Sequence, residues 1–204
     1  MSHAAASGRP HAFCGIIRTM LGKRNLYLIG PMGTGKTAVG KHLGRLLGVP
    51  FVDSDAEIER AAGVDIPYIF DEEGEDGFRK REHQALVDLC AREPIVLATG
   101  GGAILRPENR QLLKESGVVV FLQTSVQQQL QRVGSGRGRP LLKGGRDGLQ
   151  AKLEQLRETR DPLYRETADV IISTDGRRVP RVADLVLREL GLRKPAESAR
   201  RRSQ

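Results

Sequence analysis

The stretch Gly30-Pro31-Met32-Gly33-Thr34-Gly35-Lys36-Thr37 fits G-x-x-x-x-G-K-[ST], the phosphate-binding P-loop. Its flanks suit the motif. The apolar run Leu26-Tyr27-Leu28-Ile29 before it reads as a buried strand. After it, residues 38–47 carry apolar side chains at helical spacing. A strand, a glycine turn and a helix start place bare backbone N–H groups around an anion. Gly33 and Gly35 let the backbone approach phosphates. Lys36 supplies a point charge to the β- and γ-phosphates, and the Thr37 hydroxyl is a Mg²⁺ ligand type. The loop therefore predicts a nucleoside triphosphate site.

Outward from the loop, strand and helix signals alternate. Short Val/Ile/Leu-rich runs predict strands over 25–29, 50–53, 95–99, 118–122 and 170–173. Helical patterns fall at 36–47, 55–62, 66–73, 76–91, 107–116, 125–133, 148–160 and 180–190. Pro107 and Pro180 suit first turns, and Gly48, Gly117 and Gly191 suit helix stops. The alternation predicts an α/β fold with a five-stranded parallel sheet flanked by helices. The segment 134–148 holds six glycines with Arg137 and Arg139. A basic loop of that length beside a phosphate site reads as a mobile lid that excludes water, or as a solvated basic loop.

Charge narrows the partners. The chain has 204 residues and a net charge of +8. Residues 1–24 carry four basic residues and no acid, and residues 191–204 carry five basic residues and one acid. The remaining 25–190 stretch holds 24 basic and 24 acidic residues, so it is neutral. The basicity thus belongs to two segments that read as flexible tails, with the folded P-loop domain confined to 25–190. A nucleic-acid footprint belongs on a folded domain, so no nucleic acid is expected. No run of about 18 apolar residues suggests a membrane span, and the N-terminus lacks the apolar core of a secretory signal. Cys14 and Cys90 make no disulfide framework and read as reduced thiols of a cytoplasmic protein.

Four further constellations carry chemistry. Asp53-Ser54-Asp55 ends the second strand, where α/β sheets bind ligands. If the strand continues, alternation points Asp53 and Asp55 the same way, one towards Mg²⁺ and one towards a substrate hydroxyl. Asp53 or Ser54 equally suits the cap of the next helix. Thr99-Gly100-Gly101-Gly102 follows the third strand, where many P-loop enzymes place an Asp for Mg²⁺; its absence moves that role towards Asp53. The glycines suit backbone approaching a ligand, or a plain turn. Arg79 and Glu82, three apart on a helix, share a face, so the carboxylate can fix the guanidinium. Arg132 and Arg160 add positive charge, although each arginine singly also fits solvated surface.

Taken in order, the P-loop, Asp53-Ser54-Asp55, Gly77-Phe78-Arg79 with Glu82, Ala98-Thr99-Gly100-Gly101-Gly102, Arg139-Pro140-Leu141-Leu142 and Arg160-Asp161-Pro162-Leu163-Tyr164 resemble shikimate kinases, small P-loop kinases. The resemblance spans about residues 24–190. It implies ATP-dependent phosphorylation of the 3-hydroxyl of shikimate, a step towards chorismate and aromatic amino acids. It implies ATP contacts from Gly33, Thr34, Gly35, Lys36, Thr37 and Ala38, with Arg132 and Arg177 along the adenine. Lys36, Asp55 and Arg139 would be catalytic, Asp55 holding the acceptor hydroxyl and Arg139 reaching the phosphates. Arg79 and Arg160 would clamp the carboxylate beside Gly100, Gly101 and Gly102, with Glu82 behind Arg79. Thr37 and Asp53 would serve Mg²⁺. A monomer is expected. A gluconate-type kinase is the nearest alternative, disfavoured by the paired arginines and the two aspartates. A nucleic-acid-associated NTPase and an inactive module are more distant ones.

Overall fold

In a computed structural model, residues 25–133 and 145–192 are described. Both basic termini and Arg139, with most of the expected lid, lie outside these residues. Residues 145–148, assigned from sequence to the lid, instead open a helix.

Five strands form one parallel sheet: β1 (Asn25–Ile29), β2 (Phe51–Asp53), β3 (Val96–Ala98), β4 (Gly117–Gln123) and β5 (Val170–Ser173). Their order is β2-β3-β1-β4-β5. The first connection carries α1 (Lys36–Leu47) past the place that β3 later fills. Then follow α2 (Ser54–Ala62), α3 (Ile66–Cys90), a 3₁₀ turn at Ala103–Leu105, α4 (Pro107–Ser116), α5 (Val126–Val133), α6 (Gly145–Thr167) and α7 (Val179–Glu189).

Strand alternation builds two cores, one on each sheet face. Leu26, Leu28, Val118 and Val120 pack with Leu43 and Leu47 of α1 and Val182 and Val186 of α7. Tyr27, Ile29, Val119 and Phe121 pack with Leu86 and Leu89 of α3, Leu113 of α4 and Tyr164 of α6. Burial on both faces of β1, β3 and β4 explains why these strands read as unbroken apolar runs. A third, smaller cluster of Ile58, Ile69 and Phe78 joins α2 to α3.

The two helices expected at 66–73 and 76–91 are both present, joined within α3 by a kink at Gly74, whose φ of 68° and ψ of −175° are non-helical. One helix departs from the sequence expectation. The helix expected to stop at residue 160 runs on to Thr167 with Pro162 inside it. Proline cannot donate to the carbonyl four residues back, which is why a stop was expected. Beyond the proline, the burial of Tyr164 in the core holds the last turn, and the Thr167 hydroxyl adds a local bond to the Leu163 carbonyl at 2.6 Å. At the end of the described residues, Leu192 packs on the first core, and its N–H reaches the Leu187 carbonyl at 2.8 Å. Among the described residues no helix is long and apolar enough to cross a membrane.

Candidate active site

The P-loop joins β1 to α1. Gly33 and Gly35 take φ of 77° and 87°, a region that side chains avoid, so the loop needs glycine there. The start of α1 has no side-chain cap and no acid in its first turn, which leaves backbone N–H groups for an anion. Lys36 Nζ folds over the loop and donates to the Gly30 and Pro31 carbonyls at 2.7 and 3.0 Å. Thr34 is buried and braces the loop through a 3.0 Å bond to the Pro31 carbonyl. Thr37 and Ala38 are exposed in the first turn of α1.

Asp53 serves two ends at once. Its Oδ1 caps α2 by accepting from the Asp55 N–H at 3.1 Å, and its Oδ2 accepts from the Thr37 hydroxyl at 2.8 Å. The capping reading and the ligand reading are therefore compatible. Strand alternation, however, does not govern Asp55. The strand ends at Asp53, so Asp55 stands in the first turn of α2. Thr37 and Asp53 offer two hard oxygen donors beside the anion-binding helix start. Among the described residues no group of three His, Cys, Asp or Glu is built to hold a metal alone. Such a sparse donor set fits a Mg²⁺ ion that arrives on nucleotide phosphates and keeps several waters.

The glycine turn after β3 is the centre of the acceptor side. Ser54 Oγ accepts from the Gly100 N–H at 2.9 Å, tying the turn to α2. A Cβ at Gly100 would lie 2.5 Å from Asp55 Oδ1 and 2.8 Å from Glu82 Oε1. A Cβ at Gly102 would lie 2.4 Å from both terminal nitrogens of Arg79. Side chains from α2 and α3 thus close on this backbone. Arg79 is held by Glu82 at 2.6 Å and by Glu75 at 3.1 Å. Glu82 is 1% exposed, and its Oε1 accepts no hydrogen bond. Burial pushes the Glu82 carboxyl above its usual range; the Arg79 guanidinium opposes that push, and the Asp55 charge adds to it. Arg160, on α6, donates to the Gly101 carbonyl at 3.4 Å and also feels the Glu82 charge. Arg79 and Arg160, which spacing alone could not bring together, meet at one turn.

On the other flank, Arg132 donates to the Gly33 carbonyl at 2.9 Å and to the Thr174 hydroxyl at 3.2 Å. Arg177 bonds the Ser173 carbonyl. Both arginines therefore stand where the end of β5 meets the P-loop. Gln129 adds a 2.9 Å bond to the Met32 carbonyl. Sequence reasoning missed Gln129, the Ser54 tie and the Tyr164 hydroxyl, which reaches the Gly101 carbonyl at 2.6 Å. For Tyr164 a signal existed: it lies four residues after Arg160, on the same helical face.

Such an arrangement can bind a triphosphate on one side and a small anionic molecule on the other. The family model described as shikimate kinase matches residues 32–191. The chain belongs to the shikimate kinase family. As a member it is a phosphotransferase, moving a phosphoryl group from ATP to shikimate. The shikimate kinase of Thioalkalivibrio sulfidiphilus is 51% identical over 164 residues, covering 80% of this chain and 85% of that one. That of Hahella chejuensis is 54% identical over 156 residues, covering 76% of this chain and 80% of the relative. A solved shikimate kinase from Acinetobacter baumannii, in complex with shikimate, shares 48% identity with a TM-score of 0.79, covering 85% of this chain and 96% of its own. A gluconokinase from Sinorhizobium meliloti, at 21% identity and a TM-score of 0.55, shares the fold alone. The shikimate kinase assignment thus displaces the gluconate-type alternative.

Proposed function

We propose that the enzyme phosphorylates the 3-hydroxyl of shikimate with Mg²⁺-ATP, with a division of labour that follows the two flanks of the site. Gly33, Thr34, Gly35, Lys36, Thr37 and Ala38 bind the phosphates through backbone N–H groups and the Lys36 ammonium. Lys36 leaves the Gly30 and Pro31 carbonyls to do so. Thr37 and Asp53 would hold Mg²⁺, which when bound neutralises charge on the β- and γ-phosphate oxygens. Arg132 and Arg177 flank the adenine. Arg139, outside the described residues, enters on the family resemblance and brings charge to the transferring group.

Arg79 and Arg160 bind the shikimate carboxylate, with Glu82 holding the Arg79 fork in place. Gly100, Gly101 and Gly102 let the acceptor ring lie against backbone. Asp55 accepts a hydrogen bond from the 3-hydroxyl. As the new P–O bond forms and the bond to ADP breaks, that hydroxyl loses one proton, and Asp55 is the carboxylate that takes it. In-line phosphoryl transfer otherwise needs mainly positioning and charge neutralisation. The observation that carries this reading is the convergence of Asp55, Arg79 and Arg160 on the Gly100–Gly102 turn, next to the P-loop. The neutral 25–190 stretch and the free, buried Cys90 thiol support a cytoplasmic enzyme that binds no nucleic acid. A monomer is the oligomeric state proposed for it.

A coupled assay with ATP and Mg²⁺, run on shikimate, gluconate and quinate, tests the substrate. Turnover is expected with shikimate and not with gluconate. Asp55→Asn should lower kcat by about 10²–10⁴-fold, the range of a lost general base. Near-normal kcat in that variant would remove Asp55 from the reaction.

A further inference from the structure

The Gly101 carbonyl receives two donors from one helix face. Tyr164 Oη donates at 2.6 Å, and Arg160 Nη1 donates at 3.4 Å. The two residues are four apart on α6, so they stand one above the other. The distances are unequal: the tyrosine makes a short bond and the arginine a long one. Tyr164 is also the more rigid donor. Its side chain is 2% exposed, and its ring stacks on Phe121 of β4 with centroids 4.9 Å apart and planes at 18°. Burial pushes its phenol well above the ordinary tyrosine range, so the group remains a neutral donor through neutral pH.

The carbonyl it holds is at a junction. A Cβ at Gly101 would lie 3.6 Å from the Met32 nitrogen, 3.7 Å from the Gly30 oxygen and 3.7 Å from Tyr164 Oη. The 101–102 peptide is therefore wedged between the P-loop and α6, and its orientation decides where the Gly102 backbone, packed on Arg79, sits. Arg160 has five N–H donors in one rigid planar fork, so turning that fork to a substrate carboxylate re-aims the Nη1 that makes the long bond to this carbonyl.

We propose that Tyr164 is a positioning residue of the acceptor site: its hydroxyl holds the Gly101 carbonyl, which frees Arg160 to bind the substrate carboxylate. The proposal rests on the reading of Arg160 given above. In the absence of the hydroxyl, Arg160 is the only one of these two donors left to the carbonyl. Binding shikimate then strips that carbonyl of its partner, a cost that falls on the acceptor and not on the nucleotide.

The test is a double-mutant cycle in the full chain with Tyr164→Phe, Arg160→Gln and both together, read as kcat/KM for shikimate at saturating ATP. Calorimetric titration of shikimate and of ADP separates the two sites. Phenylalanine keeps the stack on Phe121, so the fold is expected to persist with a melting temperature within a few degrees of the parent. Tyr164→Phe should weaken shikimate binding about tenfold, the size of an unsatisfied buried acceptor. ADP affinity should stay within about twofold on the same ground. In the Arg160→Gln background, the tyrosine substitution should lose most of its effect. Parental shikimate affinity in Tyr164→Phe overturns the proposal while leaving the Arg160 reading intact. So does an equal loss in both backgrounds, or an equal loss of ADP affinity, since either marks mere structural support. Parental shikimate affinity in Arg160→Gln overturns the Arg160 reading and the proposal with it.

Discussion

A single methyl group at Gly100 would meet two carboxylate oxygens, Asp55 Oδ1 at 2.5 Å and Glu82 Oε1 at 2.8 Å. Neither neighbour yields cheaply: Asp55 is a short side chain at a helix start, and Glu82 is buried and tied to Arg79. Gly100→Ala should therefore displace the acceptor carboxylate. We expect a destabilisation of about 1–3 kcal/mol, the usual cost of overpacking. Because the displaced group is Asp55, kcat should fall further than the stability loss explains. Steady-state kinetics beside thermal melting checks both, and an alanine variant with parental kcat would show that the turn relaxes without moving Asp55. The same scale explains why Asp53 tolerates two roles. A carboxylate has two oxygens, and the structure gives one to the α2 cap and the other to Thr37.

Among the elements, α3 and α6 carry the two arginines, and each contains an irregularity. In α3 the break at Gly74 sits five residues before Arg79, with a φ of 68° and a ψ of −175° that only glycine adopts readily. Gly74→Ala should destabilise the fold by about 1–3 kcal/mol, the cost of forcing a side chain into that region. Among the described residues, beyond the chain neighbours, no atom lies within 4 Å of the added methyl group, so the loss would come from backbone strain and not from a clash. In α6, Gly148 likewise meets no atom of the described residues, but its φ lies outside the positive range and it is helical. There alanine should stabilise by about 0.4–1 kcal/mol. Opposite signs at two equally uncrowded glycines, read by denaturant titration, would attribute the difference to backbone conformation. Equal signs would refute that attribution.

For the molecule as a whole, the parallel sheet brings the P-loop, the end of β2 and the glycine turn after β3 to one edge, because all three follow carboxyl ends of neighbouring strands. The net charge of +8 is carried by the terminal segments, since residues 25–190 balance at 24 basic and 24 acidic residues. Removal of residues 1–19 and 195–204 should leave kcat/KM for shikimate near the parental value, because neither segment carries a site motif or apolar periodicity. A large drop with an unchanged circular dichroism spectrum would bring a terminal segment into the site.

What the sequence determined by itself is whatever neighbouring residues encode. The P-loop, the apolar strand runs and the order of helices and strands rest on local patterns, and they correspond to β1–β5 and most helices within a few residues. Local rules misplaced what packing overrides, the continuation of α6 past Pro162. The tertiary structure alone decided the strand order and the meeting of Arg79, Asp55 and Arg160 at one turn. It also decided the bonds from Arg160 and Tyr164 to Gly101, across 59 and 63 residues of chain. No residue type announces such a partner. The pairing exists because the sheet register and two cores bring α6 against the end of β3, and that is a property of packing, not of spacing.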